Sequence, residues 1–334
     1  PVTPRPPRPL PDRRPRAVLL GAGDRGAAWL PALLGGPADL VGVMDPDAER
    51  ARALLAAHPH PLTVAATLDE ALGLRPDLVV DASSPHQRLA VARRALDQGA
   101  RLLLDPPLAL DEESGGRLLG LAREAPLSVA DLSPVAGLEA LLRSGVLGPP
   151  RTLLLALHPG AAPPWAGHPV LRGPAQGALS AARRLLGAES AEARAAEGRG
   201  GAAFHALFTL ADGTALALHL DAGAAPCASW LLVAEGGTAR LDADGIVARD
   251  AAGTPLRLPA APPPDPHAEA LRRALDGPAR PPREAAEALA LALAALRSAR
   301  AGGRPEPVRP LPLAFDAALV HRPAPAAPRD EARP

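Results

Sequence analysis

The chain has 334 residues, 47% of them hydrophobic and 22% charged. That is apolar material for one large or two medium domains, and it excludes disorder throughout, which goes with fewer apolar residues and a larger net charge. Lys+Arg 36 balances Asp+Glu 36, and every one of those cations is arginine, so no global field favours nucleic acid or an anionic membrane and no lysine chemistry is available. With Trp 3, Phe 3 and no tyrosine, an aromatic stacking platform for nucleic acid is not expected. A single cysteine, Cys227, excludes an intrachain disulfide framework and a Cys-based zinc site and fits a cytoplasmic protein. No run approaches the ~20 apolar residues that span a bilayer. Residues 1–15 are Pro/Arg-rich without an apolar segment and read as a disordered leader, not a secretory signal. The Pro/Ala-rich residues 323–334 read as a disordered tail.

From Ala17 short apolar runs alternate with helical stretches. Ala17-Val18-Leu19-Leu20 reads as a strand buried on both faces. Gly21-Ala22-Gly23-Asp24-Arg25-Gly26 follows, then a helix to about Leu34. Leu40-Val41-Gly42-Val43-Met44 is a second buried run, closed by Asp45-Pro46-Asp47, where an aspartate can cap the next helix. Further strands are expected at Asp77 to Asp81 and Arg101 to Leu104, with helices at Asp47 to Ala57, Gln87 to Asp97 and Asp111 to Glu124. This alternation argues a doubly wound parallel sheet over residues 16–130.

The character changes beyond that point. A helix from Val135 to Ser144 leads into strand-like segments at Thr152 to His158, Ala203 to Leu210, Thr214 to Leu220, Leu231 to Glu235, Thr238 to Asp242, Ile246 to Arg249 and Pro255 to Leu258. Turn dipeptides such as Asp212-Gly213 and Asp244-Gly245 join several of them, which favours an antiparallel meander. Helices at Pro266 to Leu275 and Arg283 to Ala301 close the domain. The fold class is therefore α/β, with a Rossmann domain over 16–130 and an α+β domain over 131–322 built on an open, mainly antiparallel sheet.

The glycine motif carries its context: it follows a strand, opens a helix, and has an acid at the end of the next strand. Gly21 suits the tight turn, Gly23 a close approach of backbone to pyrophosphate, and Gly26 close packing of helix on strand. The helix N-terminus, at Asp24 and Arg25, offers unpaired N–H groups to phosphate. Asp45 stands where a carboxylate accepts hydrogen bonds from the adenosine ribose. A 2′-phosphate beside it would set two anions together, at ~1 kcal/mol in water and ~4 at an effective dielectric of 20, so NAD is expected over NADP.

These segments together resemble the Gfo/Idh/MocA oxidoreductases over about residues 16–310. Val18 to Gly23 and Met44 to Arg50 look like the family's first two strands, and Asp81-Ala82-Ser83-Ser84-Pro85 like its A-T-P-P loop. Asp105-Pro106-Pro107-Leu108-Ala109 falls where the family carries E-K-P-L-A, Leu138 to Gly148 resembles the helix into the second domain, and Ala286 to Arg300 resembles the closing helix. The resemblance implies hydride transfer between a nicotinamide and a sugar, cyclitol or related small molecule. It adds Ser83, Ser84, Pro85, Asp105 and Pro106 to the cofactor contacts, and an exposed sheet face that serves a homodimer or homotetramer. The departures are specific. The lysine of E-K-P is Pro106, which offers no side-chain donor and no backbone N–H. Counting back from Leu185-Leu186-Gly187, the family's histidine acid/base and its acidic neighbour fall on Gly177 and Ser180, and the histidine of the loop after A-T-P-P falls on Arg88.

The groups available as replacements are His86, in the loop after a central strand; His158, ending the first strand of the second domain; and His168, in a Pro/Gly-rich segment with Trp165. Asp105 and Asp131 also stand near the expected cleft. His205 and His219 read as sheet-face residues, and His58 and His60 as solvent-exposed loop residues. No His/Asp/Glu spacing makes a metal site, and no nucleophile motif is present. Three readings stay open: an NAD-dependent oxidoreductase with a rearranged acid/base set, a scaffold that binds nucleotide or a partner without chemistry, and non-redox chemistry in the same cleft. A positioned acid or base is worth ~10²–10⁴ in rate, which is what separates the first two.

Overall fold

The structure is a computed structural model, and it describes residues 10–56, 62–158, 168–187, 190–198, 203–221, 227–256, 265–276 and 282–312. The first half runs β1 (Arg16–Leu20), α1 (Asp24–Gly35), β2 (Asp39–Met44), α2 (Ala48–Leu55), β3 (Thr63–Ala65), α3 (Leu68–Gly73), β4 (Leu78–Asp81), α4 (Arg88–Asp97), β5 (Arg101–Leu104), α5 (Glu112–Glu124) and β6 (Leu127–Val129). The strands form a parallel sheet in the order β3-β2-β1-β4-β5-β6. Side chains alternate across it. Ala17, Leu19, Leu78, Val80 and Leu103 face α1 and α2, whereas Val18, Leu20, Val79, Leu102 and Leu104 face α3, α4 and α5. Capping fixes where the helices begin. The side chains of Asp47, Thr67 and Asp111 accept from the first-turn N–H groups of α2, α3 and α5.

The second half adds α6 (Ala136–Arg143), β7 (Pro150–His158), α7 (Gly173–Leu186), β8 (Ser190–Glu197), β9 (Ala203–Leu210), β10 (Ala215–Asp221), β11 (Cys227–Ala234), β12 (Gly237–Asp242), β13 (Gly245–Asp250), α8 (Pro266–Asp276), α9 (Arg283–Arg300) and β14 (Glu306–Pro307). Its sheet has the order β13-β12-β11-β7-β10-β9-β8-β14. The expected meander holds for β9–β10 and for β11–β12–β13, but β7 lies between β10 and β11 and pairs with β10 in parallel. Two elements escape the strand pattern. Ser190–Glu197 is Ala/Glu/Arg-rich and locally helix-favouring, yet it forms β8 because Ala193 and Ala195 are buried under α9 and residues Glu192 to Glu197 pair continuously with β9 after a register shift at Ala191. Pro255 makes only an isolated bridge to Arg249; residues 257–258 of that expected strand lie outside the described residues.

One face of this sheet packs on α7 and α9. The other is open, with Leu154 41%, Leu207 45% and Val247 51% exposed along one stripe across β7, β9 and β13. The face of the first sheet left bare beside α1 is covered from a distance. Ala270, Leu271 and Leu275 of α8 join Trp29, Leu33, Val80 and Leu103 in one core. The Rossmann layer is thus completed by a helix from the far end of the chain. Among the described residues no helix is long and apolar enough to cross a membrane.

Candidate functional site

The turn between β1 and α1 is built by its glycines. Gly21 has φ +93°, and a Cβ there would lie 2.9 Å from the Ala82 carbonyl and the Ser83 nitrogen. A Cβ on Gly26 would lie 1.9 Å from the Gly21 oxygen, so α1 approaches β1 only because that atom is missing. Gly23 differs: a Cβ there would meet nothing within 4 Å. It is the exposed N-cap of α1 and leaves the first turn without a side-chain cap, as an anion site requires. Asp45 closes β2 and is buried; its Oδ2 accepts from the Ala22 N–H at 2.8 Å and its Oδ1 from the Asp47 N–H at 2.9 Å. These bonds fix the carboxylate beside the turn, and each oxygen keeps a further lone pair. The residues fit the adenosine and phosphate half of a dinucleotide.

The carboxyl ends of β4 and β5 hold a group of charges that spacing did not predict. The Arg25 guanidinium, from the first turn of α1, donates to Ser83 O at 2.6 Å, to Pro106 O at 3.2 Å and to Asp105 Oδ2 at 3.2 Å. The buried Trp29 indole donates to Asp105 Oδ1 at 2.9 Å. Arg88 is fully buried 4.0 Å from Asp81 Oδ2, and among the described residues its guanidinium nitrogens have no hydrogen-bond partner. Asp81 Oδ1 accepts from the Ser83 N–H and hydroxyl. Burial raises the Asp105 carboxyl above its ordinary value against the pull of Arg25 and Arg88. Burial lowers Arg88 to about 10, opposed chiefly by Asp81. Asp105 is therefore a structural anchor in this state. Ser84 caps the short turn Pro85–Gln87 in extended conformation, and Pro85 is buried.

Between the Rossmann sheet, α7 and α8 lies a cavity of about 920 Å³. Pro106, Gly177 and Ser180 line it together, with Asp131 and Arg184. Gly173 opens α7 against the Pro106 carbonyl, where a Cβ would come within 2.5 Å. Gln176 stitches the same loop: it accepts from the Leu108 N–H and donates to Ala109 O and Leu171 O. Arg184 pairs with Asp131 at 2.5 Å, Glu139 at 3.0 Å and Glu284 at 3.6 Å. Sequence spacing singled out Asp131 but missed Arg184.

The three histidine candidates do not converge. His86 lies exposed at the end of β4's loop. His168 caps a short turn, pairs with Glu197 at 3.3 Å and packs edge-on against Phe204; burial lowers its imidazole below the usual range, against Glu197. His158 joins His219 and His205 on the open sheet face, where His205 and His219 approach Nδ1 to Nδ1 at 3.1 Å. None of the three is among the cavity's described lining. Trp165, His58 and His60 lie outside the described residues. His267, which no motif marks, packs edge-on against Trp29 at the start of α8. Among the described residues no group of three His, Cys, Asp or Glu side chains is placed to hold a metal ion.

Residues 16–130 match the profile of an oxidoreductase family with an NAD-binding Rossmann fold, GFO_IDH_MocA. The similarity in fold to solved structures extends through the second half. UDP-N-acetylglucosamine 3-dehydrogenase GnnA from Acidithiobacillus ferrooxidans superposes with a TM-score of 0.73 at 22% identity, covering 87% of this chain and 100% of its own. Myo-inositol dehydrogenase from Corynebacterium glutamicum gives 0.71 at 19% identity, covering 89% and 100%. Myo-inositol dehydrogenase from Lactobacillus casei, in complex with NAD(H) and myo-inositol, gives 0.70 at 18% identity, covering 89% and 97%. No match was found among the curated proteins.

Proposed function

We propose that this protein is an NAD(H)-dependent oxidoreductase that interconverts a hydroxyl and a carbonyl on a sugar, cyclitol or related polyol. One observation carries the reading. The cavity between the domains opens onto Pro106, Gly177 and Ser180, the positions that correspond to the family's lysine, histidine and acid, so a substrate-sized space persists where the usual groups are replaced. NAD, when bound, supplies or accepts the hydride. The turn at Gly21, Gly23 and Gly26 would hold its pyrophosphate, and Asp45 its adenosine ribose, in preference to a 2′-phosphate. In the cavity Ser180 offers a hydroxyl, and the Asp131–Arg184 pair offers a fixed dipole able to orient a polyol through charge-assisted hydrogen bonds.

A second reading has its own support. Among the cavity's described lining there is no histidine, as expected of a scaffold that keeps binding and has lost proton transfer. The open sheet face, with its exposed leucines, supports a homo-oligomer in either case.

Calorimetry with NADH on the wild type and Asp45→Ala, followed by NADH oxidation against a panel of ketoses and keto-cyclitols, tests the proposal. Tight binding lost in Asp45→Ala, with turnover above the enzyme-free control, supports the oxidoreductase. Binding without turnover on the whole panel moves the conclusion to the second reading, and equal affinity in both proteins removes the ribose role.

A further inference from the structure

We propose that Arg25 is a strap across the dinucleotide crevice, which the nicotinamide half must displace in order to bind; the inference rests on the dinucleotide reading above. The topology places the crevice. With the order β3-β2-β1-β4-β5-β6, the chain reverses direction of winding between β1 and β4, and ligands lie outside the carboxyl ends of the strands at that point. Asp45, at the end of β2, fixes the adenosine side. The other half of the molecule must then pass over the ends of β4 and β5.

Arg25 crosses that path. Arg25 leaves the first turn of α1 and binds Ser83 O, just after β4, and Asp105 with Pro106 O, just after β5. Its three anchors thus belong to two different strand ends. The anchors themselves are held from below. Trp29 fixes the second oxygen of Asp105, and α7 abuts the Pro106 carbonyl at Gly173. Arg25 is the more exposed member of the pair: its side chain keeps 29% of its surface in solvent, while Asp105 keeps 4%. Ser83, Asp105 and Pro106, all sequence candidates for cofactor contact, are already engaged by a fourth candidate. A closed strap leaves the exposed Gly23 and the start of α1 uncovered, so ligands consisting of the adenosine and phosphate half alone need no rearrangement. The intact coenzyme binds only the fraction of molecules in which the strap has opened, and its apparent affinity falls by that fraction.

The experiment is calorimetry on the full chain, wild type and Arg25→Met, with ADP-ribose and with NADH. Methionine keeps the stem and removes the donors. In the wild type NADH is expected to bind no more tightly than ADP-ribose. In Arg25→Met the preference for NADH over ADP-ribose should rise by about tenfold to a hundredfold, the range set by breaking two or three hydrogen bonds. Arg25→Lys, with a single point charge in place of the fork, should fall between them; it serves as the second variant if a thermal melt shows Arg25→Met poorly folded. An unchanged preference overturns the strap. A preference that falls overturns it too, since Arg25 would then hold the nicotinamide rather than exclude it. If neither protein binds ADP-ribose, the dinucleotide reading fails and takes the strap with it.

Discussion

Alanine at Gly26 and alanine at Gly23 separate fold from function within one turn. At Gly26 the new Cβ would sit 1.9 Å from the Gly21 oxygen and 3.0 Å from its carbon, against backbone that cannot rotate away. Overpacking typically costs about 1–3 kcal/mol, and a backbone-on-backbone clash belongs at the upper end. Alanine returns about 1 kcal/mol of helix propensity, leaving a net loss of roughly 2 kcal/mol. At Gly23 the Cβ meets nothing within 4 Å, and as an N-cap alanine loses roughly 0.5–1 kcal/mol relative to glycine. Gly23→Ala should keep its stability within about 1 kcal/mol, no more than half the loss expected at Gly26. It should nevertheless weaken NADH by at least tenfold, about 1.4 kcal/mol, because the methyl stands where phosphate must approach. Urea denaturation and calorimetry on the two variants read both quantities. Wild-type stability in Gly26→Ala, or wild-type NADH affinity in Gly23→Ala, would refute the assignment of roles to these glycines.

Other expectations follow from buried charge and open surface. Arg88→Met strands the buried Asp81 carboxylate without its paired cation and should lose about 3–5 kcal/mol, most of it recovered in the double variant with Asp81→Asn; simple additivity in a denaturation cycle would contradict the pairing. His168 is held neutral by burial, its folded value lying below the ordinary 6.5. Its contribution to stability is therefore complete above that pH and is lost as pH falls through 6.5 toward the folded value, because the unfolded chain binds the proton first. Urea midpoints at descending pH should drop more steeply for wild type than for His168→Gln. Leu207→Glu on the exposed stripe should shift the protein to monomer in light scattering while leaving its melting temperature near wild type; an unchanged mass would separate the open face from assembly.

Much of the first domain is written in local patterns. Buried runs such as Ala17 to Leu20 and Leu78 to Val80 can only be strands covered on both sides, and the glycine turn announces itself by spacing. The second domain is less legible. Ser190–Glu197 has the composition of a helix and becomes a strand because a partner edge and α9 are waiting for it. The parallel contact of β7 with β10 depends on where a long return path ends, which no dipeptide records. At the site, the sequence named Gly21, Gly23 and Gly26 and placed Arg25 at the helix start as a cofactor contact, but gave no sign of where its side chain goes. Its reach to Ser83, Asp105 and Pro106 is a tertiary fact. His267 is invisible for the same reason: Trp29 beside it lies more than two hundred residues earlier in the chain.

The docking of α8 on β5 and α1 bears on how the molecule comes to exist. The Rossmann half leaves the ribosome first, but Trp29, Leu33 and Leu103 then have only part of their cover, and Leu271 and Leu275 arrive late in translation. A fragment ending at residue 130 would carry a greasy, unroofed side and should aggregate or require a chaperone. The two halves are distinct in architecture yet mature as one.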